Sequence, residues 1–409
     1  MRVMITTVTC GGGHVAAAGA LEEAWKELRP DDVVDKVDLV KFFSAIHRKL
    51  YSDGYVTLVN HAPELWGYVF GKTDRPEAVR RLSKLRRLFP SKSRSRFAKH
   101  VQEFRPDVVL CTHYLPLETL EKMRGKANGE RDSKSRVGVG PATGERLDGK
   151  WGRRGTSPIL CPMVATVVTD FEAHALWMNG RSDVYFVAAH ETRARLLARG
   201  AIAQNIVTTG IPVASKFASK IDLKAARREM GLRDDLPAVL VPSGGFGMGP
   251  VGKIVDEVDK VDGSVQILVV TGRNEALRKE LAKADRRHPT RVFGFVTNMH
   301  ELMAISDLII TKPGGLTSSE ALAMGKPLLI INPIPGQEAA NSDFLLEHGV
   351  AAKVNRAEDI PFRLGQFLGS KKLVEMGRAA RALGRPDAAR AICEEVVRRF
   401  GAEHPDRLR

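Results

Sequence analysis

Four cysteines in 409 residues, Cys10, Cys111, Cys161 and Cys393, lie scattered with no CxxC pair and no His/Cys cluster. That scarcity excludes a disulfide framework and a structural zinc site, and makes a reducing cytoplasm the default. Nothing approaches the roughly 20 consecutive apolar residues that a membrane-spanning helix needs. The opening run Met1-Arg2-Val3-Met4-Ile5 is too short for a signal-peptide core and lacks a cleavage site, so it reads as a first strand. Acidic residues are also in short supply, with 48 Asp and Glu against 63 Lys and Arg and a formal charge of +15. Such a balance fits nucleic acid, an acidic small molecule or an anionic membrane surface. No DNA- or RNA-binding motif accompanies it, which disfavours the first.

The positive charge is concentrated. Arg80, Arg81, Lys84, Arg86, Arg87, Lys92, Arg94, Arg96 and Lys99 crowd one segment, against Glu77 and Glu103. Trp66, Tyr68, Val69, Phe70, Leu82, Leu85, Leu88 and Phe89 are interleaved there or just before. This is the pattern of a basic amphipathic helix that can lie on a membrane, and equally of a solvated basic face over an ordinary core.

Length favours two domains. Short β-rich runs alternate with helical patterns almost throughout: Val3–Val8, Val33–Val37, Asp107–Cys111, Val164–Val168 and Val184–Val187, then Ala238–Val241, Val265–Val270, Thr290–Phe293, Leu308–Thr311 and Pro327–Ile331. Apolar strands joined by helices predict parallel sheets covered on both faces, hence an α/β fold of two facing Rossmann-like domains. The strand series restarts near residue 238, which places the boundary near Thr209-Gly210-Ile211-Pro212. The expected division is 1–208, 209–384 and a final segment 385–409, whose helix Asp387–Phe400 returns across the junction. From about Arg124 to Ser157 the chain is polar and Gly-rich, reading as a disordered or mobile insertion.

Three glycine-rich turns follow strands. In Thr9-Cys10-Gly11-Gly12-Gly13-His14, glycines let the backbone approach a ligand, and His14 is placed to take a proton. The competing reading is a loop histidine satisfied by backbone. Gly11-x-Gly13-x-x-Ala16 also meets a loose dinucleotide fingerprint, with Asp35 or Asp38 near the ribose position, so a dehydrogenase competes. The second turn, Pro242-Ser243-Gly244-Gly245-Phe246-Gly247-Met248-Gly249-Pro250, can cradle a phosphate but lacks the Gly-Lys-Ser/Thr ending of a P-loop. The third, Thr311-Lys312-Pro313-Gly314-Gly315-Leu316-Thr317-Ser318-Ser319-Glu320, leads into a short helix closed by Gly325. Its N-terminus suits a pyrophosphate, and Glu320 can accept two hydrogen bonds from a ribose diol or serve only as a dipole partner. Beyond the next strand, Gln337 and Asn341 sit four apart at a helix start, where both can point at sugar hydroxyls.

Taken in this order, the GGGH turn, Thr169-Asp170-Phe171 with His174 and Trp177, Thr209–Pro212, Gly244–Gly249, Thr271-Gly272-Arg273-Asn274, Lys312–Glu320 and Gln337–Asn341 resemble one family. It is that of the glycosyltransferases making monogalactosyl- and monoglucosyl-diacylglycerol, relatives of the transferase adding N-acetylglucosamine to lipid-linked peptidoglycan precursor. The resemblance covers nearly the whole chain and implies a GT-B fold, metal-independent inversion and peripheral attachment to the inner face of the membrane. It implies that His14 is the base, with Asp170 and His174 orienting it or the acceptor. Glu320 would hold the ribose, Gly244–Gly249 with Lys312, Pro313, Gly314 and Gly315 the diphosphate, and Leu316 and Thr317 would line the donor site. Phe295 and Val296 would meet the uracil, Arg273 would lie beside the nucleotide, and Gln337, Glu338 and Asn341 would contact the hexose. The donor is then a UDP-hexose, the acceptor diacylglycerol or a related lipid, with neither metal, cofactor nor nucleic acid required. A UDP-sugar 2-epimerase on the same fold is the main alternative, and a non-catalytic membrane or nucleic-acid binder a weaker one. Hexose, acceptor, the role of the insertion and oligomeric state stay open.

Overall fold

The structure, a computed structural model, describes residues 1–9, 12–49, 54, 62–74, 90–127, 161–243 and 249–407. The first six strands, β1 (Arg2–Thr7), β2 (Val33–Asp38), β3 (Val108–Cys111), β4 (Met163–Val167), β5 (Val184–Val187) and β6 (Ile206–Thr208), form one sheet in the order β2-β1-β3-β4-β5-β6. A second sheet, β12-β11-β10-β7-β8-β9, is built from β7 (Ala238–Pro242), β8 (Gln266–Val270), β9 (Thr290–Phe293), β10 (Leu308–Thr311), β11 (Leu328–Ile331) and β12 (Ala351–Val354). Every pairing is parallel. Central strands are buried from end to end, as expected where helices cover both faces. The fold is α/β of the GT-B type.

Strand order reverses once in each sheet. In the first, the chain moves outward from β1 to β2, then returns to β3 on the other side of β1. In the second the same reversal falls between β7 and β10. Crevices open at the carboxyl ends of strands where such a reversal occurs, because consecutive helices lie on opposite faces there. Helix Gly12–Leu28 starts at the first crevice, and β7 and β10 end at the second.

The two crevices face each other. An apolar cluster crosses between them, joining Ala17 and Phe171 to Leu316, Phe344 and Leu345. Phe171 and Phe344 stack with centroids 4.4 Å apart and planes at 13°. Helix Ala388–Glu403 sits in the core of the first sheet, where Ala389, Ile392, Cys393, Val396 and Phe400 pack with Leu21 and Trp25.

Two edge strands, β6 and β12, are absent from the sequence-based expectation. The insertion is also bounded differently: Arg124 ends no ordered segment but lies in helix Leu117–Ala127. There it donates to the carbonyl of Pro162 and pairs with Asp183. Residues 128–160 lie outside the described residues, as do Cys10, Gly11 and the basic stretch 75–89.

Candidate active site

His14 is the third residue of helix Gly12–Leu28, held over the end of β3. Its Nδ1 lies 2.8 Å from the Thr112 carbonyl and 3.0 Å from the Thr169 hydroxyl. A carbonyl can only accept, so Nδ1 carries the hydrogen and Nε2 keeps its lone pair. Thr112 in turn donates its hydroxyl to the His14 carbonyl at 3.1 Å. The ring of His113 meets the imidazole edge-on at 4.8 Å. Burial holds the imidazole down to about 4, against an upward pull from the Thr112 carbonyl. The ring is therefore neutral near pH 7, oriented, and able to accept a proton at Nε2.

Across the cleft, Gly314 caps helix Gly315–Ala323 without any side-chain hydrogen bond. The first helical bond runs from Ser318 N to Gly314 O at 2.9 Å. The amides of Gly315, Leu316 and Thr317 precede it and have no intrahelical acceptor. The side chain of Lys312, at the mouth of this turn, makes no ion pair among the described residues. It lies toward Gly249, which takes φ +108° where the second glycine loop ends. Free amides at a helix N-terminus, with Lys312 of the same turn reaching toward Gly249, make an arrangement that suits an oxygen-rich dianion. Gly244–Met248 lie outside the described residues.

Glu320 is one turn further along. Its carboxyl is pushed up to about 7 by burial, with the Lys216 ammonium pulling the other way. It makes no hydrogen bond among the described residues. Phe295 is 63% exposed with the Arg273 guanidinium 5.8 Å from its ring centroid, while Val296 packs against the core. If Glu320 holds a ribose, its ionised form binds best, so UDP affinity rises as pH climbs through about 7. Glu320→Ala should weaken UDP by about 10- to 100-fold in calorimetry, and Glu320→Gln should flatten the pH response. Unchanged affinity in both variants removes the assignment.

Other expected residues are placed differently. Asn341 is fully buried. Its Oδ1 accepts the Phe171 amide at 2.9 Å, and its Nδ2 donates to Asp170 Oδ1 and to the Pro313 carbonyl, both at 3.1 Å. It latches one domain to the other, with both amide hydrogens engaged and no exposed surface to offer a sugar hydroxyl. His174 does not reach His14. Its Nε2 donates to the Phe70 carbonyl at 3.0 Å and its Nδ1 accepts the Leu176 amide at 3.1 Å, so both nitrogens are committed to backbone. Asp170 faces Asn341 rather than His14, and burial pushes its carboxyl up to about 6. Glu338 accepts the Ile334 amide at 2.8 Å with one oxygen, and burial raises its carboxyl. Gln337 lies beside it and accepts from Trp66 at 3.3 Å.

Thr112, which orients His14, was not singled out from sequence, and Thr169 was quoted only within its motif, without a role. The signal was present: Thr112-His113-Tyr114 directly follows a strand, at a point where the strand order reverses. The dinucleotide alternative loses its ribose acids. Asp38 accepts the Thr9 hydroxyl at 2.6 Å and the Val40 amide at 3.0 Å, and Asp35 lies 2.7 Å from His100 Nε2.

Two family models match this chain. The monogalactosyldiacylglycerol (MGDG) synthase model covers residues 14–129 and 156–213, and the glycosyltransferase family 28 C-terminal domain covers 239–383. The residues skipped by the first fall within the polar stretch between Leu117–Ala127 and β4. A processive diacylglycerol beta-glucosyltransferase of Bacillus mycoides is 28% identical over 98% of this chain and 95% of that protein. A protein of the same description from Bacillus pumilus is 32% identical, over 56% of this chain and 61% of that protein. Among solved structures, Anabaena Alr3699/HepE in complex with UDP-glucose superposes with TM-score 0.54 at 13% identity, over 98% of this chain and all of that one. UDP-GlcNAc 2-epimerase of Neisseria meningitidis bound to UDP-GlcNAc gives 0.57 at 13% identity, over 97% and all. Both likenesses concern the fold. Sequence models spanning both domains agree with the order of the motifs around the cleft: the chain belongs to the monogalactosyl- and monoglucosyl-diacylglycerol synthase family of GT-B glycosyltransferases.

Proposed function

We propose that this chain transfers a hexose from a UDP-sugar to diacylglycerol or a closely related membrane lipid, with inversion at the anomeric carbon. The observation that carries this reading is the opposition across one cleft of a tautomer-fixed His14 and a dianion cradle formed by Lys312 and the amides after Gly314. His14 Nε2 takes the acceptor proton as the lipid oxygen attacks from the face opposite UDP. Charge developing on the departing diphosphate is met by Lys312, the free amides and the helix N-terminus, so the site itself supplies the positive end that a divalent ion could supply. Closure of two domains holds the reactants together and excludes water. Gln337 and Glu338 are the hexose contacts in this reading.

Relatives named diacylglycerol glucosyltransferases support the acceptor, and the UDP-glucose complex of a structural neighbour supports the donor. Among the described residues no helix is long and apolar enough to cross a membrane. Helix Pro63–Thr73 nevertheless presents Leu65, Tyr68 and Val69 at 53%, 63% and 40% exposure on one face. Lys92, Arg96 and Lys99 are exposed on helix Ser91–Phe104. This pairing of apolar and basic surface fits peripheral attachment to an anionic membrane, and speaks against an epimerase acting on a soluble sugar nucleotide. Changing Leu65, Tyr68 and Val69 together to serine should lower flotation with anionic vesicles about tenfold or more, while UDP affinity holds. Full vesicle binding in that variant would locate attachment elsewhere.

The reading as a whole is tested by UDP release from a panel of UDP-hexoses, with and without diacylglycerol in anionic vesicles and with metal chelated. Lipid-dependent release with glycolipid formed in chelator is the expected result, and counting hexoses per product reads whether transfer repeats. UDP binding without lipid-stimulated release would overturn the acceptor. Conversion of UDP-N-acetylglucosamine without any acceptor would favour the epimerase.

A further inference from the structure

Helix Pro63–Thr73 buries no residue in the core of the first domain. Its carboxyl end is nonetheless tied to that domain. The Phe70 ring packs 4.3 Å from His174, whose Nε2 also lies 3.3 Å from the Thr73 hydroxyl. Asp74 accepts the Ala175 amide at 2.8 Å and takes Arg199 Nη2 on both oxygens, at 2.7 and 2.8 Å. Two elements of one domain, the turn at His174–Met178 and the end of helix His190–Ala198, therefore hold the helix in place.

Its other half rests on the second domain. A β-carbon at Gly67 would lie 2.6 Å from Pro335 Cβ, so only glycine lets the helix approach this closely. Gly336, at φ +99°, faces the Phe70 ring, and a β-carbon there would come within 2.8 Å of it. Trp66 then donates its indole N–H to Gln337 Oε1 at 3.3 Å. Contacts to Pro335, Gly336 and Gln337 are consecutive, and they fall on the turn that starts helix Gln337–Glu347.

We propose that Trp66 is a positioning residue for the donor hexose, acting through Gln337 across the domain boundary. This rests on the placement of the hexose at Gln337 and Glu338 under the proposed function. An indole can only donate, so it selects the orientation of the carboxamide: the oxygen turns to Trp66 and the NH₂ group turns away from it. Trp66 thereby fixes which hydroxyl geometry the carboxamide can serve, and glucose and galactose differ in one hydroxyl configuration. The nucleotide is untouched by this contact, because Lys312, the Gly314 turn and Glu320 all belong to the second domain. Leu65, Tyr68 and Val69 lie on the exposed face of the same helix, so the surface offered to lipid and the grip on the donor sugar share one rigid element.

The test compares Trp66→Phe, which keeps ring packing but removes the donor, with Gln337→Ala and the double variant. UDP and UDP-hexose affinities are measured by calorimetry, and turnover on diacylglycerol vesicles with UDP-glucose and UDP-galactose. Trp66→Phe should raise KM for the preferred donor about three- to tenfold and compress the glucose-to-galactose preference by a similar factor. UDP affinity and kcat should stay within about twofold. In the Gln337→Ala background the same change should add nothing. Unchanged KM and preference in Trp66→Phe would overturn the proposal, as would additive effects in the double variant. Equal losses for UDP and UDP-hexose would also overturn it and leave Trp66 a support of the fold. Wild-type protein that binds UDP but releases none from any hexose donor would overturn the proposed function itself, before any variant is compared.

Discussion

Replacing His14 with alanine should lower turnover about 10²- to 10⁴-fold while UDP affinity stays within about twofold. The two readouts separate because the imidazole lies in the first domain, and its contacts run to Thr112, Thr169 and His113 rather than to the nucleotide side. The pH response carries a second signature. A base acts when unprotonated, and burial holds this one at about 4 rather than 6.5. The ratio of wild-type to His14→Ala turnover should therefore stay level from about pH 8 to pH 5 and shrink only as pH approaches 4. Thr169→Val, which removes one of the two oxygens at Nδ1, should produce a smaller loss in the same direction. Near-normal transfer by His14→Ala would remove it as the base, and a ratio falling through 6.5 would mean that the ring is solvated in the working enzyme.

Gly315→Ala should be nearly as damaging by a different route. A methyl group there would overlap the carbonyl oxygen of Thr169, on the opposite domain. Neither atom can yield cheaply, since both belong to backbone, one at a helix start and the other beside the site. The domains would be held apart by a fraction of an ångström to an ångström, and misplacement on that scale costs on the order of 10²-fold in rate. The alanine keeps its N–H, and φ at a first helical position suits it, so UDP should still bind the second domain with little change. Turnover with normal kcat in this variant would show that transfer proceeds at a wider separation. Lost UDP binding would point instead to a defect in the helix itself.

The parts of this site that could be read from sequence are those where local chemistry leaves few options. Glycines between a strand and a helix announce close approach, and here Gly13 lies against Leu316 and Gly315 against the Thr169 carbonyl. A carboxylate one turn into the third such helix stands free of protein partners, as Glu320 does. The central strands were legible because both faces are buried and their residues are continuously apolar. Edge strands β6 and β12 were not, because they are short and only partly buried: Ala351-Ala352-Lys353-Val354 buries Val354 alone and carries no period strong enough to see. Asn341, whose partners lie across the cleft, was misjudged for a related reason. Spacing places Asn341 and Gln337 on one face of a helix start, but spacing does not say whether that face meets a sugar or another domain. Asn341 meets Phe171 and Asp170, which are 170 and 171 residues away in the chain. His174 was misread for a different reason, its nitrogens being taken within its own domain by the carbonyl of Phe70 and the amide of Leu176. Arg124 looked like the start of a polar stretch because Asp183, which fixes it, is 59 residues distant.

Helix Ala388–Glu403 has a consequence for how the protein is made. Leu21 and Trp25, buried in the first domain, are covered by Ile392, Cys393, Val396 and Phe400, and Cys393 Sγ reaches the Leu21 carbonyl at 3.7 Å. On the ribosome, the first sheet emerges with that face bare and keeps it bare while the whole second domain is synthesised. The second sheet, whose strands all lie between residues 238 and 354, has its pieces to hand earlier relative to its own completion. The usual N-to-C order of domain folding is therefore inverted at the last step: the domain that starts first finishes last. During that interval a nascent chain carries an exposed apolar face about one helix wide, the stage at which chaperone demand and aggregation risk are greatest.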